Sequence, residues 1–342
     1  MAYTTVPKST DYFNTKLYTG TGSSQVITGI GFQPDFIWTK TRNEAEIHCL
    51  NTTVQGINSY LRSNATDQLE TAGSNITAQS SDGYTVGTED RFNQSSNTFV
   101  SWNWKANGQG SANTDGTINT TYTSANTTSG FSISTYTGTG SAGTIGHGLG
   151  VAPTAIWIKK TSATENWFCW NNPMTSAGGF MKLDTTAAIS TNSTAFPWNP
   201  QANTFGVSTD AATNASGVTY IAYCFADVQG FSKMGGYVGN GNADGTFVYT
   251  GFKPAFVMIK SRGGDNWRIL DNKRLGRNPN NSLLFANITQ TESALTWHDL
   301  LSNGFKLRTT DSGDNTNGEN YIFMAFAEEP LVSTNGTPAT AR

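Results

Sequence analysis

The sequence predicts an all-β protein built of three tandem related antiparallel β-sandwich domains, with very little helix. One pattern occurs three times: a Tyr-x-Gly-x-Gly turn, then Gly-x-x-Pro, then an apolar run that ends in Lys. The prolines of this pattern are Pro34, Pro153 and Pro254, so the spacings are 153 − 34 = 119 and 254 − 153 = 101 residues. Such spacings indicate domain-sized units and exclude a solenoid of short repeats. Frequent Gly turns between short alternating segments, without a sustained helical period, indicate sandwiches.

Five strand segments recur in each unit. The first alternates with period two before the Gly-rich turn, and the second is the apolar run that follows the proline. The third keeps apolar outer residues around a variable middle one, which indicates a half-buried strand. The fourth follows a turn whose Asx-Gly pairs supply positive φ, and the fifth is the most apolar and therefore central in its sheet. In units one, two and three these segments are 13–18, 131–136 and 231–237; 36–40, 155–159 and 256–260; 47–51, 167–171 and 267–271; 82–86, 204–207 and 303–307; and 98–104, 219–225 and 321–326.

One further stretch, residues 291–301, is predicted to be a short helix, because Leu295, Trp297 and Leu300 fall loosely on one helical side. The predicted organisation is an N-terminal arm (1–9), repeat 1 (10–108), a Thr/Asn/Ser/Gly linker (109–128), repeat 2 (129–228), repeat 3 (229–330) and a C-terminal tail (331–342). Since no spacer separates repeats 2 and 3, we expect them to pack as a rigid pair, with repeat 1 at a different angle.

Composition narrows the classes of partner. Only 13% of the 342 residues are charged, the net charge is −3, and aromatic residues make up 12%. This composition indicates a globular chain, and it lacks the basic patch of a nucleic-acid binder. No long apolar stretch predicts membrane insertion, and the first residues do not resemble a signal peptide, so we expect synthesis in a cytoplasm.

Cysteine and histidine provide no pattern of a metal or redox site. Cys49 and Cys169 occupy equivalent strand positions, where unit three has Ile269, so a buried apolar role is expected for them. The three histidines have no partner at ligand spacing, and the chain has no Cys-x-x-Cys. Residues 311–318 have the oxygen-rich composition of a calcium loop without its closing Glu, and an Asx-rich hairpin loop is the preferred interpretation. We therefore expect no cofactor, and leave calcium binding open.

Motifs of catalysis are similarly weak. Residues 138–143 match Gly-x-Gly-x-x-Gly, but no helix start follows, so a tight turn is favoured over a dinucleotide site. No Gly-x-Ser-x-Gly elbow occurs. We expect no enzyme, although paired carboxylates of a polysaccharide depolymerase stay an open alternative. The carboxylates considered for that role are Asp184, Asp210, Asp227, Asp244 and Asp299.

Trp198 and Asn199 are the ligand-binding candidates. They lie in an insertion bounded by Pro197 and Pro200, which predicts a loop tip. An exposed indole stacks well on a sugar face, and neighbouring amides bind hydroxyl groups. The competing interpretation is that Trp198 folds back to cover its own domain or a neighbouring subunit.

Several segments resemble a family of tandem-repeat proteins encoded by tailed bacteriophages, particularly marine ones. The resemblance spans essentially the whole chain and implies a virion or tail-fibre-like component, although the family supplies no catalytic or ligand residues. Unit three departs from the pattern with Val-Gly-Asn-Gly in place of Thr-Gly-Thr-Gly. The segments that carry the resemblance are 1–5, 9–20, 100–108, 146–150, 222–226, 321–328 and 335–342.

The resulting expectation is a structural protein on the exterior of a tailed-phage virion. A tail fibre or receptor-binding appendage is preferred, with capsid decoration as the alternative and a depolymerase as the second alternative. Expected partners are other virion proteins, copies of the same chain and host-surface glycan, without nucleic acid or membrane insertion. The oligomeric state is open between a trimer and a single chain whose units imitate one.

Overall fold

The structure, a computed structural model, describes residues 3–172, 178–197, 200–274, 278–332 and 336. Strands account for 44% of the chain and helix for 6%, so the predicted all-β class is confirmed. The helical segments are single turns between strands, and each is too short to form a layer of its own. They are α1 (Asp90–Asn93), α2 (Ala211–Asn214), α3 (Ser312–Asn315) and the 3-10 turns Ser9–Asp11 and Thr53–Gln55.

Unit one is a sandwich of a large and a small antiparallel sheet. The large sheet has the order β1-β9-β3-β4-β5-β6, and the small one has the order β2-β8-β7. The strands are β1 (Phe13–Thr19), β2 (Gln25–Ile27), β3 (Phe36–Thr41), β4 (Cys49–Thr52), β5 (Ser59–Leu61), β6 (Glu70–Thr71), β7 (Ile76–Ser80), β8 (Gly83–Val86) and β9 (Thr98–Trp104).

Unit two has a large sheet of order β10-β11-β18-β13-β14 and two-stranded sheets β12-β17 and β15-β16. Its strands are β10 (Thr120–Asn126), β11 (Phe131–Thr137), β12 (Gly143–Gly146), β13 (Ala155–Lys160), β14 (Phe168–Asn171), β15 (Gly179–Phe180), β16 (Ser190–Thr191), β17 (Thr204–Val207) and β18 (Thr219–Phe225).

The predicted linker, residues 109–128, is not a free spacer. β10 lies within it and pairs antiparallel with β11. Earlier in the same stretch, Ile118 bridges to Ile145 of β12, and its N–H donates to the Thr144 carbonyl at 2.9 Å. A polar edge strand has the same Thr-, Ser- and Asn-rich composition as a flexible spacer, so composition misidentified it.

Unit three is one sheet of eight strands, in the order β19-β26-β21-β22-β23-β24-β25-β20. The sheet folds over, so that Phe305 packs edge-on against Phe323 with ring centroids 5.5 Å apart. The strands are β19 (Ser232–Val238), β20 (Phe247–Tyr249), β21 (Phe252–Ser261), β22 (Arg268–Asp271), β23 (Asn280–Phe285), β24 (Ser293–Leu301), β25 (Gly304–Leu307) and β26 (Asn320–Pro330).

The helix predicted for residues 291–301 is wrong, because β24 occupies that stretch. It pairs with β23 on one side and β25 on the other. An isolated helix of this length is marginal in water, so two rows of inter-strand hydrogen bonds outweigh its loose helical pattern.

Four neighbouring strands have the same order in the large sheet of each unit. It is β1-β9-β3-β4 in unit one, β11-β18-β13-β14 in unit two and β19-β26-β21-β22 in unit three. That the units are tandem copies of one ancestor stays a prediction from the sequence, which this common order supports.

The Tyr-x-Gly-x-Gly turns are fixed by an Asn at the end of each one-turn helix. In unit two, Asn214 Oδ1 accepts from the Thr139 N–H at 2.8 Å, and its amide donates to two carbonyls at 2.7 Å each. A Cβ at Gly138 would lie 2.4 Å from a backbone carbonyl, and Gly140 has φ 73°. Both glycines are therefore required by the turn, and not by a bound phosphate. Asn93 and Asn315 make the matching bonds in units one and three.

The large sheets also pack against one another in a common core. Trp38 of unit one meets Trp157 of unit two with ring centroids 6.1 Å apart. Phe326 of unit three lies 6.1 Å from Phe225 and 5.2 Å from Phe13, so every pair of units is in contact. The sequence led us to expect repeats 2 and 3 to form a rigid pair with repeat 1 at a different angle. In the structure unit one packs against both of them, because its apolar face is buried by both neighbours.

A ring of backbone hydrogen bonds closes this arrangement. In each unit one backbone N–H, that of residue 69, 189 or 292, donates to a backbone carbonyl of another unit. The accepting residue lies two positions after the Lys that ends that unit's Pro-led strand. The bonds run from unit one to two, two to three, and three back to one. They are Leu69 to Thr161 at 2.9 Å, Ile189 to Arg262 at 2.9 Å and Glu292 to Arg42 at 2.8 Å.

The lysines of the Pro-led strands, Lys40, Lys159 and Lys260, are fully buried. Lys159 Nζ donates to the carbonyl oxygens of Glu165 at 2.8 Å and of Thr66, in unit one, at 3.0 Å. Burial lowers the pKa of each ammonium to about 8. The carbonyl oxygens around each lysine compensate part of the cost of burying its charge.

Trp157→Ala is expected to lower the free energy of unfolding by about 4 kcal/mol, because it opens a cavity where units meet. The variant should still unfold in one calorimetric transition, since the three units share one core. Tyr122→Ala, at a residue 36% exposed, is the control and should change stability by less than about 0.5 kcal/mol. Two separate transitions, with some units surviving the first, would contradict the shared core.

Lys159→Met is expected to flatten the pH dependence of unfolding between about pH 8.5 and 9.5. The folded ammonium has a pKa of about 8 and the unfolded one 10.5, so unfolding takes up a proton and stability rises with pH. The wild-type slope should exceed that of the variant by about 1 kcal/mol per pH unit. Urea titrations at both pH values measure it, with surface Lys8→Met as control; equal slopes for wild type and Lys159→Met would count against this account.

Candidate binding surface

The predicted ligand candidates Trp198 and Asn199 lie outside the described residues. Within the described part of the chain, a surface on unit three combines exposed aromatic rings with paired charges. It is the outer side of β20, β25 and β24, and we call it the β20 face. Its residues are Phe247, Tyr249, Asp244, Asp299, Lys306 and Arg308.

Alternation along β20 places its two aromatic side chains on the outer side. Phe247 is 43% exposed and Tyr249 is 55% exposed, whereas Val248 between them is buried. Val248 lies opposite Phe305, which is also buried, so the inner side belongs to the core. Two exposed rings at positions i and i+2 of a strand lie about 7 Å apart on one face.

Charged residues continue this face across the neighbouring strands. Lys306 lies opposite Phe247 on one side and Asp299 on the other. Lys306 Nζ lies 2.8 Å from Asp244 Oδ1. The Arg308 guanidinium bridges the two carboxylates, with Nη1 3.1 Å from Asp244 Oδ1 and Nη2 2.6 Å from Asp299 Oδ2. The hydrogen bond from Lys306, and then its charge, lower the pKa of the Asp244 carboxyl. The two cations and two carboxylates balance, so the face carries aromatic rings and polar groups without net charge.

The N-terminal segment is fixed beside this face. The Tyr3 hydroxyl donates to the Gly251 carbonyl at 2.7 Å. Burial raises the pKa of Tyr3 to about 12, with a smaller contribution from its hydrogen bond to Tyr249. This contact holds the Tyr249 side of the face in place before any ligand binds.

The matching positions in units one and two differ. Phe247 corresponds to Val26 in β2, which lies opposite Thr85, and to Thr144 in β12. Thr144 is covered by the segment before β10, since Thr117 N donates to its hydroxyl at 3.0 Å. The aromatic and charged combination therefore distinguishes unit three among the matching faces of the three units.

A buried ionic cluster lies on the inner side of β24. Arg268 Nη1 donates to Asp314 Oδ2 at 3.0 Å, and His298 Nε2 lies 3.6 Å from the same oxygen. Asp314 and His298 are fully buried. Burial lowers the pKa of His298, so the ring is neutral at pH 7. Units one and two have Phe92 and Thr213 at the position of Asp314, so we assign this cluster to the packing of unit three.

The other carboxylates considered from the sequence have structural partners. Asp184 accepts from the Trp167 N–H at 3.1 Å, Asp210 caps α2, and Asp227 accepts from the Met234 N–H at 2.8 Å. In contrast, Asp244 and Asp299 meet at Arg308, on the β20 face.

The Asx-rich hairpin loop preferred for residues 311–318 is wrong, because this stretch contains α3 and the strands on its two sides, β25 and β26, do not pair with each other. Asp311 caps this helix by accepting from the Gly313 N–H at 2.9 Å. Among the described residues, no group of three or more His, Cys, Asp or Glu side chains is arranged to hold a metal ion. The free cysteines Cys49, Cys169 and Cys224 are buried, which confirms the expectation for Cys49 and Cys169.

One small cavity lies between units two and three. Its volume is about 10 Å³, and Trp157, Cys169, Met258 and Trp267 are among the residues that line it. A cavity of this size holds about one water molecule. It therefore cannot accommodate a saccharide.

Sequence reasoning missed Phe247 and Tyr249. The aromatic-Val-aromatic alternation predicts a strand with two sides but does not say which side the rest of the molecule covers. None of the strand segments predicted for unit three includes residues 247–249, and the default assignment to core or interface was made for tryptophans inside predicted strands.

Asp314→Asn is expected to lower the free energy of unfolding by about 2 kcal/mol, because the buried Arg268 would lose its fully buried carboxylate partner and keep only the more exposed Asp311 and Asp265. Asp115→Asn, at an exposed site, is the matched control and should cost less than about 0.5 kcal/mol. Urea unfolding at pH 7 measures both. A loss below about 1 kcal/mol for Asp314→Asn would show that the buried pair contributes little.

Comparison with known proteins identifies a family without an assigned activity. No helix in the described ranges combines the length and apolar character needed to cross a membrane. No curated protein matches the chain. Residues 8–330 match the family described as a domain of unknown function, DUF7483. Because this match covers nearly the whole sequence, the chain belongs to the DUF7483 family.

Proposed function

We propose that this protein is a structural component on the exterior of a tailed-phage particle, as a tail fibre or receptor-binding appendage. The sequence resemblance to tandem-repeat phage proteins suggests the particle. The shared core suggests the role, and it is the observation on which the proposal depends.

The shared core makes one chain a complete three-sided body. Trp38, Trp157 and Phe326 come from different units and are buried where those units meet. Tail fibres are commonly trimers whose subunits cover each other's apolar faces, and here three units of one chain do the same. Such a body leaves its small sheets and loops outward, where they are available for attachment and recognition.

The polar and weakly charged surface is also compatible with a location outside the cell. Only 13% of residues are charged, and Thr, Ser and Asn supply much of the remaining polarity. Salt weakens attraction between exposed charges, so a surface that depends little on them is less sensitive to ionic strength. We expect the partners to be other particle proteins, and the host contact to be made by outward-facing residues.

The location can be tested on purified particles. An antibody raised against the recombinant chain, with gold-labelled electron microscopy, should mark the tail of particles banded in a density gradient. Peptide mass spectrometry of the same band should detect the chain, and particles from a deletion strain are the control. Label on the head would favour the alternative of capsid decoration. Absence of the chain from gradient-purified particles would defeat the proposal.

A further inference from the structure

We propose that the β20 face binds a neutral hexopyranose unit of a glycan. This inference builds on the proposed function by naming the ligand class and the residues of the contact. The β20 face offers what one ring-shaped polyol requires: apolar rings to stack on, and charged groups that bind hydroxyls.

The aromatic pair provides the apolar part of the contact. The side chains of Phe247 and Tyr249 are about half exposed on one strand. Opposite Tyr249, the neighbouring strand β25 has Gly304, which carries no side chain that could cover the Tyr249 ring. A Cβ at Gly304 would lie 3.1 Å from the Phe247 ring, so this ring lies close to the sheet. An aromatic ring that lies close to the sheet in this way offers its other face to the C–H groups of a pyranose.

The polar part of the contact lies directly beside the rings. The Asp244 side chain is 75% exposed and accepts hydrogen bonds, and the Lys306 and Arg308 side chains are 25% and 37% exposed and donate them. A sugar hydroxyl both donates and accepts, so it bonds to a carboxylate and a neighbouring cation at once. Ligand sites typically combine an apolar surface with a few polar groups that fix orientation.

Charge balance selects a neutral ligand. Each cation of the face already holds a carboxylate, at 2.8 Å for Lys306 and at 2.6 Å for Arg308. An anionic sugar would have to compete with Asp244 or Asp299 for these cations, and a cationic sugar would meet Lys306 and Arg308. A neutral pyranose adds hydrogen bonds without breaking an ion pair.

The face is preorganised by contacts to the rest of the molecule. Tyr3 anchors the Tyr249 end through Gly251, and Asp299 is mostly covered beneath Arg308. A rigid surface loses little conformational entropy when a ligand binds. Several copies of the protein on one particle would raise the overall affinity for a glycan above that of a single weak site.

Saturation-transfer NMR on the purified full chain tests the inference. The probes are methyl α-glucopyranoside, methyl α-galactopyranoside and methyl α-mannopyranoside, with N-acetylneuraminic acid and glucosamine as charged comparisons. We expect transfer to the ring C–H protons of at least one neutral probe, and stronger transfer than to either charged sugar. The affinity should fall at least about tenfold in Phe247→Ala/Tyr249→Ala, and severalfold in Asp244→Asn.

Controls separate loss of contact from loss of fold. Tyr122→Ala removes an exposed aromatic elsewhere, Val26→Ala alters the matching face of unit one, and both should bind as wild type does. Circular dichroism and thermal unfolding should show that Phe247→Ala/Tyr249→Ala stays folded. If this double variant does not fold, Tyr249→Phe takes its place, and it should retain binding because it keeps the aromatic ring. No transfer to any neutral probe, preference for a charged sugar, or full binding by a folded Phe247→Ala/Tyr249→Ala would overturn the inference.

The outcome is independent of the particle experiment. Presence of the chain on particles without binding of a neutral sugar would defeat this inference alone. Binding by a chain that is absent from purified particles would defeat the proposed function and leave the β20 face assigned.

Discussion

Each large sheet in this protein has two apolar faces, and covering both is the constraint on which the structure depends. One face packs on a local core inside its own unit, as around Tyr84 in unit one and Phe205 in unit two. The other face is covered only when the neighbouring units pack on it, as at Trp38 and Trp157. Because burial of apolar surface is the main favourable term in folding, a single unit is an incomplete protein.

Bringing three sheets together also forces polar groups into the contacts between units. Lys159 and Lys260 reach carbonyl oxygens of the preceding unit, and Lys40 bonds to carbonyls within unit one. Where unit three returns to unit one, an ionic contact adds to the ring: Arg42 Nε donates to Glu292 Oε2 at 2.8 Å. This last contact joins residues far apart in sequence, so specific charged partners help define where the chain closes.

The three units are alike in their turns and differ in their outer strands. The Asn at the end of each one-turn helix and the glycines of each turn are alike in all three units, because the turn geometry permits few alternatives. The outer strands are under no such requirement. Unit two covers β12 with its own preceding segment, whereas unit three presents Phe247 and Tyr249 outward, which is why we assign recognition to unit three.

The sequence by itself predicted the five recurring strand segments of each unit, the glycine turns, the all-β class and the buried cysteines, since these follow from local alternation and backbone sterics. Only the tertiary structure decided that residues 109–128 pair with unit two, that residues 293–301 form β24, and that the units share one core. Trp198 and Asn199 stay predictions, while the β20 face came from the structure. The physical reason is that a strand's pattern shows two different sides, but which side is covered depends on residues far away in the sequence, as where Phe305 lies beside Val248 and Trp157 packs against Trp38.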